Sequence, residues 1–200
     1  MRPKEVVKCY ECSDDLRRKI LSDLLSIFQH DVTTLLKPYD KILICSGLFS
    51  EVYLVSDPLL KAVQTLWKVG RNPYCVGIYV GRLRGRKQHL IPSTMLAYAV
   101  FSKLSTYTNS VVVSDDGLKP FLYGRDVLKA SVIKVYPKLM PNHYTFIVGT
   151  DGQLYGFGIS ATDEEGLKRL KDDEVVVKNV FDVGWYLRGG TKPREKKFKT

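Results

Sequence analysis

Basic and aromatic side chains are the residues with the clearest chemical potential in this chain. The densest basic segment is Gly81-Arg82-Leu83-Arg84-Gly85-Arg86-Lys87, and a second basic segment lies at the end of the chain, in residues 188–199. Lys and Arg neutralise phosphates, and exposed aromatic rings stack on unpaired bases. These residue types therefore indicate a surface that binds nucleic acid.

The positive charge is distributed unevenly along the sequence. Residues 58–114 carry eight Lys and Arg and no Asp or Glu, whereas residues 1–57 have a net charge of −1 and residues 115–200 a net charge of +3. Solvated protein faces usually mix the two signs. Together with a net charge of +10 and a pI of 9.4, this pattern favours a polyanionic partner, and RNA or DNA over an anionic membrane surface.

Aromatic residues accumulate in the second half of the chain. Side chains in the segment Leu154-Tyr155-Gly156-Phe157 alternate in the pattern of a half-buried strand. At least half of the aromatic rings in the second half of the chain are therefore expected to fill a core. The rings considered are Phe121, Tyr123, Tyr136, Tyr144, Tyr155, Phe157, Trp185 and Tyr186.

No enzyme motif is readable in the sequence. The spacing Gly81-x-x-x-Gly85-Arg86 is too short for a phosphate-binding P-loop and lacks its Lys-Ser/Thr. A Gly-x-Ser-x-Gly nucleophile motif does not occur. The histidines His30, His89 and His143 are too far apart for a metal-ligand pattern. We therefore predict no catalytic residues, no cofactor and no metal site.

The four cysteines give a weak metal signal. Cys9 and Cys12 form one Cys-x-x-Cys pair, but Cys45 and Cys75 are isolated, and a zinc site would need a second pair. No apolar run follows the first five residues, so we expect a cytoplasmic protein, nucleolar or nuclear in a eukaryote, that does not meet a membrane. Reduced thiols are expected in that compartment.

Hydrophobic periodicity predicts alternating helices and strands in the first half of the chain. Ser13 is a candidate N-cap, and Pro38 ends the first helix. Pro58 occupies the first turn of a second helix. The predicted elements are a helix over 13–36, a hairpin of strands 41–45 and 51–55, a helix from 57, strands 76–80 and 89–91 beside the Arg-rich segment, and a helix over 92–104.

The second half reads as a small β-barrel around one helix. The polar segment at 105–109 predicts a domain boundary, which gives domains 1–105 and 106–190 and a basic tail 191–200. Asp151-Gly152 is a hairpin turn signal. The predicted elements are strands 111–113, 132–136, 144–149, 154–160 and 175–180, a turn at 115–117, and a helix over 121–130.

Three segments of the second half resemble a PUA domain. Residues 119–129, Lys-Pro-Phe-Leu-Tyr-Gly-Arg-Asp-Val-Leu-Lys, look like its signature helix, residues 154–160 resemble its Gly-x-Gly strand, and residues 182–188 its closing element. Residues 52–56 and 77–83 resemble the N-terminal domain of one PUA family, the Nip-seven group of large-ribosomal-subunit biogenesis factors. The resemblance runs from about Leu16 to Arg188 and is taken to indicate an archaeal member.

The resemblance implies an α+β protein with an N-terminal α/β domain of mainly antiparallel sheet and a C-terminal PUA-type β-barrel. It also implies a non-enzymatic role in ribosome biogenesis. The PUA domain would bind pre-rRNA, and assembly or processing proteins, including the exosome, would dock on the protein, which is expected to be a monomer. One departure is Ser131, which replaces a glycine usual in the family and puts a backbone contact to RNA at that point in question.

Thirteen residues are predicted to bind RNA. The barrel contributes Tyr123, Gly124, Arg125, Lys129 and Arg188, the tail contributes Lys192, Arg194, Lys196 and Lys197, and the N-terminal domain contributes Arg82, Arg84, Arg86 and Lys87. An alternative is an RNA-modifying enzyme with a PUA targeting domain, which needs a catalytic constellation within residues 1–105. A third is a protein-interaction module whose basic patch meets an acidic partner.

Overall fold

The computed structural model describes residues 8–47, 49–71, 73, 75–85, 88–104 and 109–188. The chain forms two compact units that divide between residues 105 and 106. The first contains a five-stranded sheet and the second a six-stranded sheet, each accompanied by helices. This mixture of helices and largely antiparallel strands confirms the predicted α+β class.

The first unit is built on a meander in which each strand pairs with the next. The sheet order is β1-β2-β3-β4-β5 and every neighbouring pair is antiparallel, in agreement with the mainly antiparallel sheet that the family resemblance implies. The elements are β1 (Lys8–Glu11), α1 (Asp14–Phe28), α2 (Val32–Leu35), β2 (Lys41–Ser46), β3 (Ser50–Val55), α3 (Asp57–Lys68), β4 (Ile78–Arg84), β5 (His89–Pro92) and α4 (Thr94–Phe101).

The long helix predicted over 13–36 is wrong, because the chain forms two helices there. α1 ends at Phe28, where Gln29 turns into the left-handed region with φ 56°. Asp31 then caps α2, its carboxylate accepting the backbone N–H groups of Thr33 and Thr34. An Asp side chain that satisfies free N–H groups favours a new helix start over continuation of the old one.

The predicted hairpin and the helix with Pro58 in its first turn are confirmed by β2, β3 and α3. The strand predicted at 76–80 lies further along the chain, because the pairing of β4 with β5 continues as far as Arg84. Arg82 and Arg84 consequently belong to a strand and not to a turn. The fourth helix is shorter than predicted and begins after Ser93, whose hydroxyl accepts the Leu96 N–H.

The expectation of reduced thiols is wrong for two of the four cysteines. Cys9 lies directly opposite Cys45 in the β1–β2 pair, and the two side chains form a disulfide. Strand β1 is absent from the sequence prediction, so this pairing could not be recognised there. Cys12 and Cys75 are free, and burial raises the pKa of the Cys12 thiol to about 11.

We expect loss of this disulfide to lower the free energy of unfolding by about 2 to 4 kcal/mol, because a cross-link over 36 residues restricts the unfolded chain. Urea unfolding with and without reductant measures the difference. A double variant, Cys9→Ser with Cys45→Ser, serves as the control and should not respond to reductant. Superimposable wild-type curves would show that the bond contributes nothing to stability.

The second unit forms a curled, half-barrel sheet in the order β7-β11-β10-β9-β6-β8. β6 and β9 run parallel, and the other described pairs are antiparallel. The elements are β6 (Ser110–Val113), α5 (Asp115–Leu122), β7 (Val127–Leu128), a 3-10 turn (Lys129–Ser131), β8 (Val132–Tyr136), β9 (Tyr144–Val148), β10 (Leu154–Ser160), α6 (Glu164–Arg169), β11 (Val175–Asp182) and α7 (Gly184–Leu187).

Phe121 of α5 is fully buried and lies at the centre of the second core. The predicted hairpin at Asp151-Gly152 is confirmed, with Gly152 in the left-handed region at φ 76°. At Gly156 the backbone of β11 approaches so closely that a Cβ atom would collide with the Phe181 carbonyl oxygen. The core residues are Val111, Val113, Phe121, Val127, Leu139, Ile147, Val176 and Val177.

The predicted turn at 115–117 and helix at 121–130 are both wrong. The helix begins at Asp115, after Ser114 caps the Gly117 N–H, and it ends at Leu122. Two aspartates in the first turn favour a helix start, because the partial positive charge of the helix N-terminus attracts carboxylates. Gly124 then adopts φ 86° and ends the helix.

The helices of both units are short. Among the described residues, none has the length and apolarity needed to cross a bilayer.

Candidate functional site

A groove of about 950 Å³ opens on the surface of the second unit. Helix α5, the turn that follows it and the first residue of β11 form its walls. The groove mixes a cation, an aromatic ring, small residues and aliphatic side chains. The lining residues are Gly117, Pro120, Tyr123, Gly124, Arg125, Asp126, Leu128, Ser131 and Val175.

The turn after α5 carries two exposed residues that line the groove, Tyr123 and Arg125. The backbone N–H groups of Tyr123 and Arg125 both donate to the Pro120 carbonyl, at 3.0 and 3.1 Å, and that of Gly124 donates to Phe121 at 2.8 Å. With its backbone held in this way, Tyr123 is 75% exposed, and Arg125 is also exposed. An exposed ring can stack on a base, and a nearby cation can neutralise the phosphate of the same nucleotide.

The opposite wall is the 3-10 turn, which packs closely on the start of α5. The Ser114 N–H donates to the Ser131 carbonyl at 2.9 Å, and a Cβ atom at Gly117 would collide with the Ser131 side chain. The absence of a side chain at Gly117 therefore leaves the space that the Ser131 side chain occupies. The Ser131 side chain is half-buried and lines the groove.

A buried polar network lies behind the turn. Asp182 has no exposed surface, and its carboxylate accepts two hydrogen bonds from Arg188, at 2.9 and 3.2 Å. The side-chain amide of Asn179 donates to Asp182 at 3.3 Å and to the backbone carbonyls of Phe121 and Arg125 at 2.9 and 3.2 Å. These bonds connect helix α7 and strand β11 to the turn that carries Tyr123.

Asp126 is held by the same strand. Its carboxylate accepts the backbone N–H of Asn179 at 2.8 Å. Asn179 thus contacts residues 121, 125 and 126, which lie on both sides of the exposed Tyr123–Gly124 pair. A binding surface fixed by such a second layer of hydrogen bonds loses little conformational entropy on binding.

Lys129 extends the basic character of the groove beyond Arg125. It begins the 3-10 turn next to the lining residue Leu128, and its backbone N–H donates to the Glu174 carbonyl at 2.9 Å. The positive side chains of Arg125 and Lys129 are therefore carried by the two ends of one short segment, residues 125–129, with both ends tied to β11 or the loop before it.

The structure places the predicted barrel residues in two different roles. Tyr123, Gly124 and Arg125 line the groove and Lys129 adjoins it, whereas Arg188 uses its guanidinium to pair with buried Asp182. Reversal of the Arg188 charge is therefore expected to destabilise the fold, because it would place a second negative charge beside buried Asp182. Arg82 and Arg84 belong to the first unit. The remaining predicted residues, Arg86, Lys87, Lys192, Arg194, Lys196 and Lys197, lie outside the described residues.

Sequence reasoning missed the residues that support the groove. Ser131 was noted only as a departure from a pattern, and Asn179 and Asp182 were not considered. Asn179 and Asp182 carry a sequence signal, because they are polar residues in a largely apolar strand and buried polar groups require partners. In the part of the chain that the structure covers, no cluster of three or more His, Cys, Asp or Glu could hold a metal ion.

Sequence comparison identifies relatives across most of the chain. Residues 109–191 match the model of the UPF0113 PUA domain. A UPF0113 protein of Archaeoglobus fulgidus is 31% identical over 147 residues, which cover 74% of this chain and 78% of the relative. The 60S ribosome subunit biogenesis protein nip7 of Schizosaccharomyces pombe is 29% identical over 137 residues, covering 68% of this chain and 73% of that protein.

A solved structure shows the same fold. The crystal structure of a PUA-domain protein from Aeropyrum pernix superposes with a TM-score of 0.59 at 12% identity, over 92% of this chain and 91% of the other. The predicted PUA-type barrel is thereby confirmed.

Proposed function

This chain belongs to the UPF0113 family, which includes the Nip-seven proteins, and from that membership we propose that it is a non-enzymatic RNA-binding factor of ribosome biogenesis. The observation that carries the proposal is the groove between α5 and the 3-10 turn. It lies wholly inside the segment that matches the PUA model, and it presents Tyr123, Arg125 and Lys129 on a rigid turn.

The chemistry of the groove fits unpaired nucleotides. Arg125 and Lys129 would neutralise phosphates, and the exposed ring of Tyr123 would stack on a base. Leu128 and Val175 offer an apolar floor for a second base, and the Ser131 hydroxyl and the Gly124 backbone offer hydrogen bonds to base edges or a 2′-hydroxyl. The bases of a double-stranded helix are stacked and paired, and a single exposed ring such as Tyr123 stacks on unpaired bases, so we favour single-stranded or loop RNA.

The relatives suggest which RNA this is. The fission yeast relative is named for biogenesis of the 60S subunit, so we propose that the RNA is pre-rRNA of the large subunit. Domain 106–190 would bind it, the tail 191–200 would add phosphate attraction through Lys192, Arg194, Lys196 and Lys197, and domain 1–105 would dock assembly or processing proteins, including the exosome. The protein would act as a monomer in the cytoplasm, or in the nucleolus of a eukaryote.

We expect the purified protein to bind single-stranded or loop-containing RNA with a steep salt dependence. Each phosphate contact to a single strand should lower the logarithm of the association constant by about 0.7 per logarithmic unit of salt. Fluorescence anisotropy of a labelled RNA across a salt series measures this slope. A matched duplex serves as the comparison and should bind more weakly. A flat salt response would refute the phosphate-contact model.

A further inference from the structure

We propose a second RNA-contacting surface, on the exposed end of the first unit's sheet, formed by Phe49, Arg82, Arg84 and His89. We call it the hairpin face, because most of it lies on the β4–β5 hairpin. This inference deepens the proposed function and rests on it for the choice of RNA as ligand. The surface belongs to a different unit from the groove and uses different residues.

Strand geometry places these side chains on one face of the sheet. Arg82 and Arg84 are two residues apart in β4, so they point to the same side. Arg84 lies directly opposite His89 of β5, and Arg82 lies opposite Ile91 of β5 and Glu51 of β3. Residues that oppose each other across a strand pair share a face, so Arg82, Arg84 and His89 lie on one side of the sheet, together with Ile91 and Glu51.

Helix α3 covers the other end of this face. Leu60 and Val63 of the helix pack on Leu43 and Tyr53 of the sheet. The Tyr53 hydroxyl donates to Glu51 at 2.9 Å, which places Glu51, and with it Arg82, on the same side as this core. Beyond this core, Arg82 is half-buried, and Arg84 and His89 are exposed to solvent.

Phe49 adds a stacking platform to the charged row. Its ring is 45% exposed, and the guanidinium carbon of Arg82 lies 4.7 Å from the ring centroid. Nearly half of the ring surface is open to solvent, and the Arg82 guanidinium forms a cation–π pair with the ring. Unpaired bases stack on both aromatic rings and guanidinium planes, whereas an acidic peptide needs only the charge.

The charge around the hairpin face favours a polyanion as the occupant. Arg82, Arg84 and His89 belong to the segment 58–114, which contains eight Lys and Arg and no Asp or Glu. Glu51 is the acidic residue opposite Arg82 in register, and its carboxylate also accepts a hydrogen bond from the Tyr53 hydroxyl. Charge and rings together identify single-stranded RNA as the ligand.

The test uses the full chain, a labelled uridine-rich RNA, and two variants, Phe49→Leu and Arg84→Glu. Phe49→Leu keeps an apolar side chain and removes only the ring. We expect each variant to weaken RNA binding about fivefold or more, in the wild-type background and again in the groove variant that combines Arg125→Glu with Lys129→Glu. Lys8→Glu, on the opposite edge of the same sheet and about 14 Å from β4, is the matched charge control and should bind as the wild type does.

The outcomes separate this inference from the proposed function. If Phe49→Leu and Arg84→Glu bind RNA as Lys8→Glu does, while the groove variant loses affinity, the hairpin face is refuted and the proposed function stands. If Arg84→Glu weakens RNA binding and Phe49→Leu does not, the surface attracts RNA by charge alone and the inference of a stacking surface fails. A wild-type protein that binds no RNA would overturn both.

Discussion

Replacing Arg125 and Lys129 with glutamate is expected to weaken RNA binding about 100-fold at low salt. Each reversal would remove the positive partner that we propose for a phosphate and add a repulsive charge at the same place. The salt slope should also become shallower, by about 0.7 for each phosphate that no longer has a cationic partner. Anisotropy titrations of wild type and variant across a salt series measure both quantities.

The matched control is Lys168→Glu with Arg169→Glu. Both residues belong to α6 of the same unit, away from the groove lining, so the control changes the net charge by the same amount without touching the groove. It should lose only the small affinity that follows from net charge. Circular dichroism should show both variants folded, because surface substitutions usually alter stability by about 0.5 kcal/mol or less.

Charge reversal at Arg82 and Arg84 is expected to weaken binding less than reversal at the groove, even with the contribution of the hairpin face. Sequence density alone would rank the two surfaces the other way, because the basic residues are closest together in residues 81–87. Anisotropy titrations of the two double variants against the same RNA give the ranking. An equal or greater decrease in affinity for the Arg82 and Arg84 variant would assign the primary RNA surface to the first unit.

Truncating Arg188 to methionine is expected to lower the free energy of unfolding of the second unit by about 3 kcal/mol. The carboxylate of Asp182 has no exposed surface and would keep a buried negative charge without its bidentate partner. The Arg188 side chain is 28% exposed, so water can partly reach it. We therefore place the loss in free energy of unfolding at the lower end of the range for buried ion pairs.

Tryptophan fluorescence can follow this unit by itself. The chain has two tryptophans, Trp67 and Trp185, and Trp185 lies against Phe181 and Tyr186 close to Arg188. In a Trp67→Phe background, urea unfolding of Trp185 reports the second unit. Asp182→Asn combined with Arg188→Met should recover part of the stability, because no buried charge remains. Equal stability of wild type and Arg188→Met would exclude a structural role for the ion pair.

The strands were predictable because their pattern repeats every two residues. β10 and the β9–β10 turn match the sequence prediction closely, since alternation and Asp-Gly signal them locally. Helix α5 was misplaced by six residues at its start. The apolar positions from Phe121 onward continue into β7, and periodicity alone does not separate a short helix end from a short buried strand.

The candidate site was only partly predictable. Tyr123, Gly124 and Arg125 are adjacent in sequence, so a local motif could identify them together. Tertiary packing of β11 and α7 brings three further residues to the same turn, namely Asn179, Asp182 and Arg188. The Cys9–Cys45 bond has the same origin, because the two residues are 36 positions apart and meet only through strand pairing.

Photo-crosslinking of the full chain to thiouridine-containing single-stranded RNA, followed by mass spectrometry of the linked peptides, tests the central claim most directly. The claim is that the groove of the second unit is the main RNA site. We predict that the dominant crosslinks fall within residues 117–131, at Tyr123 above all, and that they disappear when Arg125 and Lys129 are reversed. Crosslinks that occur only outside residues 117–131, and persist in that variant, would contradict it.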